Sequence, residues 1–247
     1  MIEVVRRGRV AVATMTHGKA NAMDIELCQE IIGRFEQLKS AEAVVLTGQG
    51  RIFSAGVDLV RAVGGGTDYL REFLPLLRKA FEAVFFHPRP VVAALNGHAI
   101  AGGCVLACAA DFRLMLRDAG RIGVTELLVG VPFPPIAFEI MRFATAPQHF
   151  TDVIFSGTTY TADAARERGL IDDIVAADLI DRAVAAAERL ADLSPRVFAI
   201  TKQQTRQPVQ DRLERDGARV DAMVEEIWRD PDTLARMRDY VERTLKK

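Results

Sequence analysis

The sequence predicts an α/β fold of buried strands alternating with helices, closed by a helical C-terminal region. Three observations predict it. The runs Val44-Val45-Leu46 and Val91-Val92-Ala93-Ala94-Leu95 are continuously apolar, the pattern of strands covered on both faces. Amphipathic stripes of helical period lie before and between them. From residue 195 onward strand signals stop and charged, amphipathic helices take over. With 247 residues, 49% of them apolar and 26% charged, the chain can bury a core without disulfide or metal staples.

The elements follow in order. Val10 to Thr14 alternates apolar and small polar residues as a strand does, and His17-Gly18-Lys19-Ala20-Asn21 is a turn. Asp24 is placed to cap a helix whose stripe is Leu27, Cys28, Ile31, Ile32, Phe35 and Leu38. The strand from Val44 to Thr47 stops at Gly48-Gln49-Gly50. Gly64-Gly65-Gly66-Thr67-Asp68 reads as the most flexible stretch, ahead of a helix with Leu70, Phe73, Leu74, Leu77, Phe81 and Val84 on one face. His87-Pro88-Arg89-Pro90 breaks that helix before the strand Val91 to Leu95. Gly102-Gly103 then opens a helix of small residues, and Phe112 to Met115 is a further strand. Thr161 to Arg168 is a helix closed by Gly169, and Leu179 to Leu193 another. Ser194-Pro195 and Asp230-Pro231 each start a helix in the tail, with Val220, Val224, Ile227 and Trp228 as its stripe. The expected division is a core over 1–194 and a helical region over 195–247 that covers the site or joins subunits.

Several function classes fall away. A net charge of −1 gives no footprint for nucleic acid or an anionic membrane. No apolar run approaches the roughly 18 residues of a membrane span, and the N-terminus lacks a signal-type apolar stretch, so the expected compartment is the cytoplasm. Cys28, Cys104 and Cys108 sit in apolar surroundings and read as reduced, buried thiols. No histidine completes a zinc set with them, so no metal is expected.

Chemistry concentrates in two segments. Phe53 to Leu59, FSAGVDL, and Asn96 to Leu114, NGHAIAGGCVLACAADFRL, each follow a buried strand and set glycine and alanine where a ligand could approach backbone N–H groups. The second also opens a helix, whose first N–H groups lack intrahelical acceptors. Either alone could be a tight turn. Together they suit the stabilisation of a developing oxyanion.

GKANAMD, FSAGVDL, PRPVVAALNGHAIAGGCVLACAADFRL, VTELLVGVPFP and TADAARERGLIDDIV resemble the crotonase family, the enoyl-CoA hydratase/isomerase superfamily, in register over roughly residues 1–205. The resemblance implies a crotonase-like spiral of ββα units and an acyl-CoA substrate, with coenzyme A part of the substrate and no separate cofactor. It implies an oxyanion hole from the N–H groups of Val57 and Gly102. CoA would run along Lys19, Ala20 and Ala22 and along Ala55, Gly56, Val57, Asp58 and Leu59. Lys202 matches a lysine that family members often direct toward CoA phosphate, sometimes on a neighbouring subunit, although a solvated helix lysine accounts for it equally well. Family members are usually trimers or dimers of trimers, so a homo-oligomer is implied.

The chain departs from the family's hydratases at one point. They carry two glutamates, and here the upstream position is Val105. The downstream one matches Glu126, in apolar company that favours a reactive carboxyl. Hydration suits two carboxylates, whereas a double-bond shift needs one base to take a proton from C2 and return it at C4. The pattern therefore resembles the single-glutamate Δ3,Δ2-enoyl-CoA isomerases. A second acid from Asp68, Glu72, Asp111 or Glu139 would reopen hydration, decarboxylation or thioester hydrolysis, and a CoA-thioester binding protein with vestigial activity is a further reading. A protease of related fold would need a histidine near Ser54. His98 is expected to serve packing. Phe73, Leu74, Leu77, Phe133 and Phe138 are candidates to line the acyl pocket or to be plain core.

Overall fold

The computed structural model describes residues 1–244. A six-stranded sheet forms the main layer, in the order β1 (Ile2–Arg7), β2 (Val10–Met15), β3 (Ala43–Gly48), β5 (Val91–Leu95), β7 (Phe112–Leu116) and β9 (Asp173–Val175). Only the β1–β2 pair is antiparallel. Side chains of the central strands alternate between two apolar layers. Val44 and Leu46 enter the larger core, and Ala43 and Val45 enter a smaller one. The larger core is covered by α1 (Ile25–Leu38), α2 (Leu59–Phe85) and α3 (Gly102–Cys108), with α4 (Glu126–Val129), α5 (Pro135–Ala144), α6 (Phe150–Ser156) and α7 (Ala162–Glu167) beyond them. Helix α8 (Leu179–Ala191) covers the smaller core, packing on β2, β3, β5 and β7. This is the α/β architecture, with helices on both faces of a mostly parallel sheet, that the continuous apolar strands predict.

A second, three-stranded parallel sheet sets up the site. It joins β4 (Ile52–Ser54), β6 (His98–Ile100) and β8 (Ile122–Gly123). All three strands run the same way, so they release the chain on one side, at Ala55–Val57, Ala101–Gly102 and Val124–Glu126. Ligands of open parallel sheets gather at that end.

The expected loop at Gly64–Gly66 is instead part of α2. Asp58 caps that helix by accepting the Arg61 N–H (2.9 Å), and helical hydrogen bonding carries through to Phe85 across a kink at Gly66 (φ 59°, ψ −149°). Only glycine adopts that conformation without strain, so the triplet bends the helix rather than freeing the chain. Asp24 caps α1 as expected, accepting the Leu27 N–H at 2.8 Å.

The C-terminal helices are α9 (Pro195–Arg212), α10 (Ala218–Arg229) and α11 (Pro231–Thr244), with a π-helical turn at Leu213–Gly217. Residues 245–247 of the expected helical region lie outside the described residues. Helix α10 turns Val224 and Trp228 inward and leaves Ile227 exposed, and the Trp228 indole N–H donates to Pro132 O at 3.0 Å. Helix α11 packs on α2 and α4, with Met237 and Val241 buried. The tail therefore closes over its own core. Replacing Trp228 by Ala is expected to lower unfolding free energy by about 3–5 kcal/mol in urea denaturation, as for a buried aromatic. A loss below about 1 kcal/mol would mean the tail is not anchored there.

Candidate active site

Three segments leave the small sheet and meet around a cavity of about 430 Å³. The first, Ala55–Val57, is stitched to the preceding turn. Ala55 N donates to Ala20 O (3.0 Å), Met23 N to Gly56 O (2.7 Å) and Asp58 N to Met23 O (3.0 Å). Met23 and Val57 thus form a parallel bridge that uses the groups flanking Val57, and the Val57 N–H has no acceptor among the described residues. Asn21 holds the turn from behind, donating to Phe53 O at 3.1 Å and accepting the His17 N–H at 2.8 Å.

The second segment begins α3. Ala101 N donates to Gly123 O (2.8 Å), and Ala101 O accepts from Cys104 N (2.8 Å) and Val105 N (3.1 Å). Ala101 itself has φ 50°, ψ −123°, a strained conformation for a residue with a Cβ, of a kind that costs about 1–3 kcal/mol and gathers at functional sites. It turns the chain so that Gly102 N starts the helix, again with no acceptor among the described residues. The two loops touch at Gly56, which has φ +84°. A Cβ there would lie 2.6 Å from Ile100 O and 3.0 Å from Gly102 N. Gly103 meets β4 as tightly, since a Cβ would fall 2.2 Å from Ser54 O. Glycine is required at both positions because backbone meets backbone.

The third segment carries Glu126, the first residue of α4. The side chain is 8% exposed, lines the cavity, and its Oε2 has no hydrogen-bond partner. Burial pushes the carboxyl up to about 7, against the smaller pull of the nearby Glu126 and Thr125 backbone N–H groups. Val105, fully buried, lines the same cavity. The depth is apolar, with Leu77, Phe81, Val129, Val131, Ala137 and Trp228.

Most residues expected at the site meet here: Ala20, Ala22, Ala55, Val57, Asp58, Leu59, Gly102 and Glu126 all line the cavity. Gly56 stands just behind the lining, and Lys19 is exposed next to Ala20. Lys202 lies outside this cavity, and the solvated-lysine alternative is corrected: the side chain is 7% exposed and ion-paired to Asp111 at 2.6 Å. The other carboxylates considered are also elsewhere. Asp111 binds Lys202 and Arg206, Glu139 binds Arg212 at 2.7 Å, and Asp68 and Glu72 are exposed. His98 is exposed rather than packed, its Nδ1 accepting the Arg121 N–H at 3.3 Å. Of the five apolar candidates only Leu77 lines the cavity. Phe73 and Leu74 are core, while Phe133 and Phe138 face a separate groove. Sequence reasoning missed Tyr240 and Thr244, which α11 sends to the cavity wall. Their spacing of four puts both on one helix face, the available clue.

The pattern of the enoyl-CoA hydratase/isomerase family matches residues 6–246. The chain belongs to the enoyl-CoA hydratase/isomerase family. A Thermus thermophilus relative that bears an enoyl-CoA hydratase name is 33% identical over 209 residues, 81% of each chain. Among solved structures, human mitochondrial Δ3,Δ2-enoyl-CoA isomerase superposes with a TM-score of 0.93 over 99% of this chain and 98% of that one, at 20% identity, a likeness of fold. An enoyl-CoA isomerase of Mycobacterium tuberculosis is 27% identical, with a TM-score of 0.75 and 98% coverage of both chains. Family membership makes this chain an enzyme of the hydratase/isomerase class and its cavity the candidate active site.

Burial of Glu126 has a thermodynamic consequence. Its folded-state value of about 7 exceeds the ordinary 4.5, so between these values the native state holds a proton that the unfolded chain has released. Stability therefore falls as pH rises through this window, by about 3 kcal/mol for a shift of this size. Glu126→Gln removes the titration. Urea denaturation is expected to find the variant increasingly more stable than wild type from about pH 4 to about pH 8. A difference independent of pH would place the raised value elsewhere.

Proposed function

We propose that the enzyme is a Δ3,Δ2-enoyl-CoA isomerase in which Glu126 is the single acid–base. The observation that carries this reading is the absence of a second carboxylate in the cavity's depth. Among the described residues lining it, Asp58 is committed to capping α2, and Val105 stands where a partner acid would be needed. Valine neither orients water nor supplies a proton.

In this mechanism the thioester oxygen of a 3-enoyl-CoA accepts hydrogen bonds from the Val57 and Gly102 N–H groups. These donors have no competing acceptor and are fixed before substrate arrives, which suits a charge that develops only in the transition state. Glu126, ionised, takes a proton from C2. Negative charge spreads from the thioester oxygen to C4 as a dienolate, and the Glu126 carboxyl then delivers the proton to C4. The double bond has moved to C2–C3, and Glu126 is again ionised. The apolar walls keep water from adding across it and hold the carboxyl near neutrality, where one group both accepts and donates. CoA would lie along Ala20, Ala22 and Ala55–Leu59, with Lys19 at the mouth. A homo-oligomer also belongs to this proposal, supported by exposed apolar side chains such as Phe155, Val197 and Met223.

Purified protein given 3-enoyl-CoA is expected to form 2-enoyl-CoA, with slow or no water addition when 2-enoyl-CoA is supplied. Rapid hydration without isomerisation would overturn the reading. Glu126→Gln should abolish turnover while CoA still binds, and wild-type kcat/KM should rise with pH through about 7 as the base ionises. Gly56→Ala, by prising the two loops apart, should cost about 10²-fold or more in kcat, the scale of one lost oxyanion donor. Unchanged kcat would remove the two N–H groups from the mechanism.

A further inference from the structure

Helix α9 and strand β7 enclose a second cavity of about 320 Å³, separate from the catalytic one. Its polar lining is Asp111, Arg113, Thr201, Lys202, Thr205 and Arg206. The hydrogen bonds there do not close. Asp111 Oδ1 accepts from Arg206 Nη2 (2.7 Å), and Oδ2 accepts from Lys202 Nζ (2.6 Å) and Val91 N (2.8 Å). Asp172 accepts the Arg113 backbone N–H and Nε (both 2.8 Å) and Nη2 (2.9 Å). Each carboxylate already accepts three hydrogen bonds, yet Arg206 Nε, Arg206 Nη1 and Arg113 Nη1 have no acceptor among the described residues.

These nitrogens are deeply buried. Arg206 is 3% exposed and Arg113 9%. The ring centroids of Phe85 and Phe143 lie 4.2 and 5.8 Å from the Arg206 guanidinium carbon, so aromatic carbon shields it from water without offering its N–H groups an acceptor in their plane. The Cys108 sulfur beside Arg113 is only a weak acceptor. Three cations face two carboxylates, a surplus of one positive charge. Burial lowers the Lys202 ammonium to about 8, with Asp111 opposing the shift and Arg206 adding to it.

We propose that this cavity is a binding site for a small oxyanion of the phosphate or carboxylate type, held by Arg206 and Arg113, with the Thr201 and Thr205 hydroxyls at its rim. The planar N–H fork of arginine matches such ions in geometry as well as charge. An occupant would tie α9 to strand β7 of the main sheet and so fasten the helical region to the core. This proposal is independent of the isomerase reading.

The test uses the full chain in phosphate-free buffer. Sodium phosphate, sodium acetate and sodium chloride are titrated at matched ionic strength, with melting temperature and the ³¹P line width of inorganic phosphate as readouts. The expected result is a saturable rise in melting temperature with phosphate or acetate over chloride, and ³¹P broadening on addition of protein. Arg206→Gln should bind phosphate about ten-fold or more weakly, as loss of a charge-assisted donor pair implies. Thr201→Glu, which supplies a carboxylate at the rim, should melt higher than wild type without phosphate and lose the saturable response. Phosphate also stabilises proteins by exclusion, without saturating. A rise that does not saturate with either phosphate or acetate and is equal in wild type and Thr201→Glu, with an unbroadened ³¹P line, overturns the proposal. Should Arg206→Gln fail to fold, Thr201→Glu decides it.

Discussion

The site depends on one close approach, between the backbone of Gly56 and the turn from Ile100 to Gly102. No Cβ fits between them, and the contact brings two N–H groups without acceptors to one wall of a cavity. Everything around it fixes that approach. The small parallel sheet aligns the two loops and adds Glu126 at the end of its third strand. The Met23–Val57 bridge takes up the N–H and C=O groups on either side of Val57 and leaves its own N–H for a ligand. Ala101 bears backbone strain so that Gly102 can begin a helix there. The main sheet supplies the rigid layer against which these short strands are held.

The second constraint is dryness. Glu126 keeps a carboxyl near neutrality because apolar side chains surround it and, among the described residues, no cation pairs with it. That arrangement sacrifices stability whenever the group ionises, which is characteristic of functional carboxyls rather than structural ones. The contrast with buried Glu139 and half-buried Asp111 is instructive, since each of these carboxylates is neutralised by arginine or lysine.

Much of the fold was legible because strands β2, β3, β5 and β7 are long enough, and buried enough, to print an apolar run in the sequence. Strand β1 left no such mark, being an edge strand with all but Ile2 exposed. Strands β4, β6 and β8 are two or three residues long, too short for any period, although they position the site. The loops were legible through glycine, because close backbone contact permits nothing larger. The cavity's far wall was not. Trp228, Tyr240 and Thr244 reach it from the other end of the chain, and helical spacing alone does not say what a stripe packs against. The burial of Lys202 was hidden for the same reason, its partner Asp111 lying 91 residues away.

The central claim is that one carboxyl, shielded from water, carries a proton from C2 to C4. Isomerisation of 3-enoyl-CoA in D₂O, stopped after a single turnover, tests it most directly. The account predicts that in a substantial share of product the hydrogen added at C4 is the protium removed from C2, because Glu126 hands it across before solvent exchanges it. One full deuterium added at C4 in every product molecule from the first turnover would contradict the account, since it requires a second acid or a base open to solvent.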